Sequence, residues 1–394
     1  MVALDDGARV GGAVGGGAGG EGVLGGVGAA HDDLFNAKVA RTSTPIREAA
    51  PVDTVTLKDV ARAVGVSVMT VSNVVNGRLD RVSPATAARV EAAVADLGYV
   101  PSAAARTLVA RRSGLVGLLL PGRADAASLL GSPHDVAVTG ALEAALRRHD
   151  HHLMLRGVTT AADVRDSVRR WGLDGVVLMG FTDAAVAGLD LPTTLPAVLV
   201  DAGGPAGPTQ ARVGSDDLGG GRLAGKHLTG LGHRRLVLCG PADGTSGVVE
   251  ARLAGFRAAA SAAGLPASAV RVLDARTTYG DGVALGSRLA ADVRAGAVTA
   301  VLATADVLAA GVVRGLTDAG VRVPDDVSVL GYDDAELARQ VTPRLSTVGQ
   351  DTGGKGRLAA ELLLGLVTGD GAGVRAATVP VALVARESTG PAPG

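Results

Sequence analysis

Apolar positions between residues 56 and 97 recur at helical spacing in three short bursts. In TLKDVARAV, Leu57, Val60, Ala61 and Val64 fall at i, i+3, i+4 and i+7 and so share one helix face. Thr56 and Asp59 have the form of a capping box, and Gly65-Val66-Ser67 reads as a turn. Ser67 is a natural N-cap for a second helix, on which Val71, Val74 and Val75 make a narrow stripe. Met69, Asn73 and Asn76 then point the opposite way, with Val68 and Ser72 on the flanks. A third helix is predicted from Ser83 as N-cap and Pro84 in the first turn to a stop at Gly98, with Ala87, Val90, Val94 and Leu97 inward. A small uncharged face backed by valines suits a helix that docks into a DNA major groove. An ordinary helical hairpin inside a larger core has the same periodicity.

Downstream, SAAARTLVARRS reads as a helix of roughly two turns capped by Ser102, too short to be stable alone in water. It should fold only against a partner chain or DNA. From Leu115 the rhythm becomes alternating α/β. LVGLLLP, HLMLRG, DGVVLMG, PAVLVD, RRLVLCG, ASAVRVLDA, TAVLATAD and DVSVLGYD read as buried parallel strands. Helical patterns such as GALEAALRRHD, GGRLAGKHLTGLG and AAGVVRGLTDAG separate them, and GRLAAELLLGLVTG and a short strand in TVPVALVARES close the core. That many strands imply doubly wound parallel sheets in two lobes.

Composition narrows the picture without deciding it. The 394 residues allow two or three domains, and 47% hydrophobic with 20% charged residues is the balance of a soluble globular protein. The net charge of −1 gives no global sign of a nucleic-acid partner, yet residues 53–112 carry eight basic against five acidic side chains. Residues 1–52 are a glycine-rich, low-complexity stretch expected to stay disordered. One cysteine, Cys239, excludes an internal disulfide and fits a reducing compartment. With no apolar run long enough for a membrane span and no secretory signal pattern at the start, a cytoplasmic location and no membrane partner are expected.

The motifs VTLKDVARAVGVSVMTVSNVVNG, RVSPATAARVEAAVADLGYVPSAAARTL, GLVGLLLP, GLDGVVLMG, LGHRRLVLCG, ARLAGF, VPDDVSVLGYDD, PRLSTV and the closing RES, in this order, resemble the LacI/GalR family of bacterial transcription regulators. The likeness extends from about Val55 to Thr389. It implies an all-α helix-turn-helix headpiece over 53–101, a hinge helix over 102–113, and a two-lobed α/β, periplasmic-binding-protein-like effector and dimerisation domain over 114–394. It also implies a homodimer on a pseudo-palindromic double-stranded DNA operator, acting as a repressor under a small-molecule effector. By position, Val68, Met69 and Asn73 face base edges, where an Asn can bond adenine in bidentate fashion and apolar side chains can meet thymine methyls. Leu57, Thr70, Ser72, Asn76 and Ser83 match phosphate-contacting positions, and Leu108 matches a leucine that wedges into the minor groove.

In open α/β sheets ligands sit beyond the carboxyl ends of the strands. Phe181, Asp201, Asp306 and Asp333 occupy such ends, and Arg252 in ARLAGF matches the family's effector-contacting arginine. Carboxylates and an arginine around one crevice suit a hydroxyl-rich ligand, such as a sugar. Aromatic residues make up only 2% of the chain, leaving Tyr279, Phe181 and Trp171 to stack on a sugar face. GGRLAGKH imitates a nucleotide-binding loop, but His227 stands where Ser or Thr should hold magnesium and no strand feeds it. The His149, Asp150, His151, His152 cluster lacks a second ligand set, and no catalytic arrangement stands out, so neither metal, cofactor nor enzymatic activity is expected. The ending GPAPG carries no leucine heptad, which favours dimers over tetramers. The alternative is a solute-binding protein of the periplasmic-binding fold with no role in gene regulation; it would need export, and its fold would not need Thr56–Asn76.

Overall fold

The computed structural model describes residues 55–100, 112–122, 129–203, 207–242, 244–369 and 374–394. Leu108, the glycine-rich 1–52 and nearly all of the expected hinge lie outside these residues. The chain divides into two compact units, one ending at Val100 and one beginning at Pro101.

Among the described residues the first unit holds three α-helices, α1 (Leu57–Val64), α2 (Val68–Val75) and α3 (Pro84–Leu97). The carboxylate of Asp59 accepts hydrogen bonds from the N–H and hydroxyl of Thr56 at 3.0 and 2.6 Å, which fixes the start of α1. Gly65 and Gly98 end α1 and α3 in the left-handed conformation, at φ 70° and 65°, where a side chain would be strained. Val60, Ala61, Val64, Val71, Val74, Ala87, Val90 and Tyr99 form the small core. Arg89 reinforces it by donating to the Val64 carbonyl at the end of α1, at 2.5 Å.

Among the described residues the second unit holds two six-stranded sheets. The first lobe contains β1 (Leu115–Pro121), β2 (His152–Val158), β3 (Gly175–Met179), β4 (Ala197–Val200), β5 (Gln210–Ser215) and β11 (Ala376–Val379), in the order β11-β5-β4-β3-β1-β2. The second contains β6 (Leu236–Gly240), β7 (Val270–Asp274), β8 (Ala300–Ala303), β9 (Ser328–Asp333), β10 (Ser346–Gln350) and β12 (Val381–Val384), in the order β12-β10-β9-β8-β6-β7. All pairings are parallel except β10 with β12. Central strands are covered on both faces, so all five residues of β3 are buried. HLMLRG, read from sequence as a buried strand, is instead the edge strand β2, and its His152, Leu155 and Arg156 are exposed. TVPVALVARES is not one strand but two in different sheets, separated at Pro380, whose missing N–H and fixed φ interrupt a ladder.

The chain passes between the lobes three times. It leaves β5 for α7 (Asp217–Gly230), which packs on α8 (Gly247–Ala262) of the second lobe. It returns from β10 into α12 (Thr352–Thr368), which packs on α4 (Pro133–Arg147) of the first. It crosses last at Pro380. The nucleotide-loop look-alike GGRLAGKH lies within α7, where Gly221 is pressed so close to α8 that a Cβ would sit 1.9 Å from the Arg252 carbonyl oxygen. Gly221 and Gly225 therefore serve helix packing, and Gly220 makes room for the Tyr332 side chain of β9.

Candidate nucleic-acid interface and interlobe cleft

On α2 the valine stripe is turned into the core, which leaves Val68 41% and Met69 68% exposed on the other side. Asn73 is half-buried on the same helix, and its side-chain amide has no hydrogen-bond partner among the described residues. Several other polar groups of the headpiece are engaged internally. Asn76 donates to the Ser72 carbonyl and hydroxyl at 2.7 and 3.2 Å, Ser67 caps Thr70 N–H at 3.0 Å, and Ser83 caps Thr86 N–H at 3.3 Å. Leu57 packs against the core at the first position of α1, where the backbone N–H has no intrahelical acceptor. Thr70, Ser72, Asn76 and Ser83, read from sequence as phosphate contacts, use their side chains within the headpiece, at the start and end of α2 and the start of α3. Backbone N–H groups at the two helix starts remain donors suited to phosphate.

The second site is built at the carboxyl ends of both sheets. Asp201 follows β4 with φ 57°, a conformation in which its carboxylate meets the Lys355 ammonium at 2.8 Å through both oxygens. Lys355 stands in the first turn of α12 with a wholly buried side chain. Its ammonium also reaches the Gln350 side-chain carbonyl at 2.9 Å and His134 Nε2 at 3.1 Å. Gln350 ends β10; its carbonyl accepts a second bond from Ser215 Oγ at 2.5 Å, while its NH2 donates to Asp333 at 2.6 Å. Asp333 ends β9 at φ 119°, and burial pushes its carboxyl up, against the pull of the Arg252 charge. Beside this chain of bonds lies a cavity of about 790 Å³, walled by residues 130–134 with Val136 and Ala137 on one side. Asp333 to Glu336, Gly349 to Thr352, and the Pro380–Ala382 and Val384 edge complete it.

The structure brings together only part of the set read from sequence. Asp201, Arg252 and Asp333 do gather between the lobes, and Asp333 lines the cavity. Arg252 is buried and committed: it donates to Asp217 at 2.8 Å and to the Thr304 carbonyl at 2.6 Å, and its guanidinium lies 3.5 Å over the Tyr332 ring. Burial works against its charge, but Asp217, Tyr332 and Asp333 together outweigh that penalty and the guanidinium stays charged. Asp306 lies beneath the strand ends, fully buried, accepting from Thr347 Oγ1 at 2.6 Å and Ala335 N–H at 2.8 Å. Burial, then the Asp333 charge, push its carboxyl up to about 8. Phe181 turns away after Gly180 (φ 78°) and joins the core of the first lobe. Tyr279, at the start of α9 (Tyr279–Arg294), and Trp171, at the end of α5 (Ala161–Trp171), are exposed outside the cavity. Among the described residues the cavity wall thus holds no Phe, Tyr or Trp.

Sequence reading passed over His134, Gln350 and Lys355. A signal for Lys355 was present: it stands on the inward stripe with Ala359, Ala360 and Leu363, where an ammonium requires a buried counter-charge.

Comparison with known proteins agrees with these two sites. Residues 56–102 match the model for bacterial regulatory proteins of the lacI family, and residues 226–389 match a periplasmic binding protein-like domain. The chain is 36% identical over 341 residues to the HTH-type transcriptional regulator CelR of Thermobifida fusca, covering 84% of this chain and 95% of that protein. The structure of a CelR–cellobiose complex matches at 31% identity with a TM-score of 0.62, covering 85% of this chain and 99% of that one. The lac repressor dimer bound to operator and the anti-inducer ONPF matches at 28% identity with a TM-score of 0.72, covering 86% and 99%. These relatives are regulators rather than enzymes, and among the described residues no helix is long and apolar enough to cross a membrane. A helix-turn-helix unit followed by a two-lobed α/β unit with a cleft at its strand ends makes the chain a DNA-binding transcription regulator: it belongs to the LacI family.

Proposed function

We propose that the chain is a repressor that binds a pseudo-palindromic operator as a homodimer and is released or recruited by a sugar-like effector held in the interlobe cleft. The observation that carries this reading is the uncharged outward face of α2, where Val68 and Met69 are exposed and the Asn73 amide is unbonded, on a chain that also holds the cleft. Val68, Met69 and Asn73 then read base edges. Leu57, Thr70, Ser72, Asn76 and Ser83 set the headpiece on phosphates, through the backbone at the helix ends. Leu108 wedges the minor groove from a hinge over 102–113 that orders on the operator. The relative solved as a complex with cellobiose and the cavity of about 790 Å³ favour a sugar of one or two rings, recognised by carboxylates, Gln350 and His134 rather than by aromatic stacking.

Gel shifts of the purified protein on its own upstream DNA test this, at several salt concentrations and with cellobiose, ribose and glucose added. Binding that weakens steeply with salt and is altered by one sugar is expected. Failure to bind any genomic fragment, with or without sugar, overturns the regulator reading. Leu108→Ala should weaken operator binding and leave sugar affinity unchanged; equal loss of both contradicts the assigned wedge.

A further inference from the structure

We propose that Lys355 is a positioning residue that sets the two halves of the cleft as one unit, through Asp201 on the first lobe and through Gln350 to Asp333 on the second. The inference rests on the cleft being the effector site, and it concerns how that site is held before a ligand enters.

An ammonium has three N–H donors and no acceptor. Those of Lys355 are matched by three groups: the Asp201 carboxylate, the Gln350 carbonyl and His134 Nε2. For His134 to accept there, its proton stands on Nδ1, where Asp135 Oδ1 at 3.1 Å is ready to receive it. Gln350 is thereby fixed in orientation. Its carbonyl takes two donors from the first-lobe side, Lys355 and Ser215, so its NH2 must face Asp333 at the end of β9. Reversing the amide would set NH2 against the ammonium and a carbonyl against a carboxylate. One buried cation therefore dictates which way the bridging amide points, and the amide dictates where the Asp333 carboxylate stands. Three members of this chain of bonds fall next to a chain crossing: Ser215 before the first, Gln350 before the second and Lys355 just after it.

The test needs no sugar, so its failure and failure of the sugar reading remain distinct. Cysteines introduced at exposed Arg169 on the first lobe and Arg288 on the second carry spin labels in the full chain, diluted with unlabelled protein. Native Cys239 does not compete, being fully buried with its thiol pushed up to about 12. The wild type should give one narrow interlobe distance. Lys355→Met combined with Asp201→Asn removes both charges together, so the fold survives even where Lys355→Met alone does not. A second distance population should appear in this double variant, at a thermal midpoint close to that of the wild type. Gln350→Met should give the same second population, and adding it to the double variant should change nothing further, because both act through one chain of bonds. A single narrow distance in the double variant or in Gln350→Met overturns the proposal, and so does a wild type already as broad as the variants.

Discussion

The α2 face and the cleft handle polar groups in opposite ways. On α2 the outward groups are small and uncharged, and Asn73 keeps its amide unbonded among the described residues. In the cleft almost every charge is answered internally: Lys355 by Asp201, Arg252 by Asp217, and Asp334 by Arg386 and Arg339. The first surface can lose a side chain without disturbing the fold, because nothing inside depends on it. The second cannot, because removing one member strands another in a region with little water. A surface that reads DNA is added to a finished core, whereas a cleft that closes on a ligand forms part of the core itself.

Substitutions should break this contrast in a definite order. Lys355→Met alone leaves the Asp201 carboxylate without its counter-charge and should cost about 3–5 kcal/mol in urea unfolding of the second unit, most of it restored by adding Asp201→Asn. Next comes pH. A carboxyl raised in the folded state, as Asp306 is to about 8, keeps a proton that the unfolded chain has released. Its contribution to stability is therefore present below about pH 4 and is lost as pH rises through about 8. Thermal midpoints across that range should fall in the wild type and fall less in Asp306→Asn; equal slopes would remove the assignment. Asn73→Ala should weaken operator binding by about 1–3 kcal/mol, measured by fluorescence anisotropy, with nonspecific DNA affinity and thermal midpoint unchanged. The smallest effect is expected for Ser83→Ala. Loss of its cap should reduce headpiece stability by about 1 kcal/mol. A drop in operator affinity with no change in stability would show instead that Ser83 acts on phosphate.

The headpiece was legible because its information is local. Helix starts at Thr56, Ser67 and Ser83, stops at Gly65 and Gly98, and valine spacing all act within a turn or two, and the helices appear where these signals place them. The α/β rhythm and the two lobes were legible for the same reason. Two strands were not: β5 (QARVGS) and β10 (STVGQ) are polar, and the buried Ser346 and Thr347 of β10 are satisfied by Ser388, Thr389 and Asp306 from distant segments. The cleft was legible only as carboxylates at strand ends. Its bonds join residues such as His134 and Lys355, 221 positions apart, and no periodicity encodes that meeting. Phe181 and Tyr279 were placed in the cleft for their chemistry, but Phe181 belongs to the core of the first lobe and Tyr279 lies outside the cavity wall.

Pro380 has a mechanical meaning beyond splitting a strand. It is the sole residue between β11, hydrogen-bonded into the first lobe, and β12, hydrogen-bonded into the second. One residue spans at most about 3.6 Å, and a prolyl ring fixes one of its two soft torsions. The two sheet edges joined there are pinned rather than tethered: they can swing about the joint but cannot draw apart or slide. Access to the cleft must then come by rotation, with the greatest travel at the rim opposite the pin, so that part of the rim should govern how fast a ligand enters and leaves.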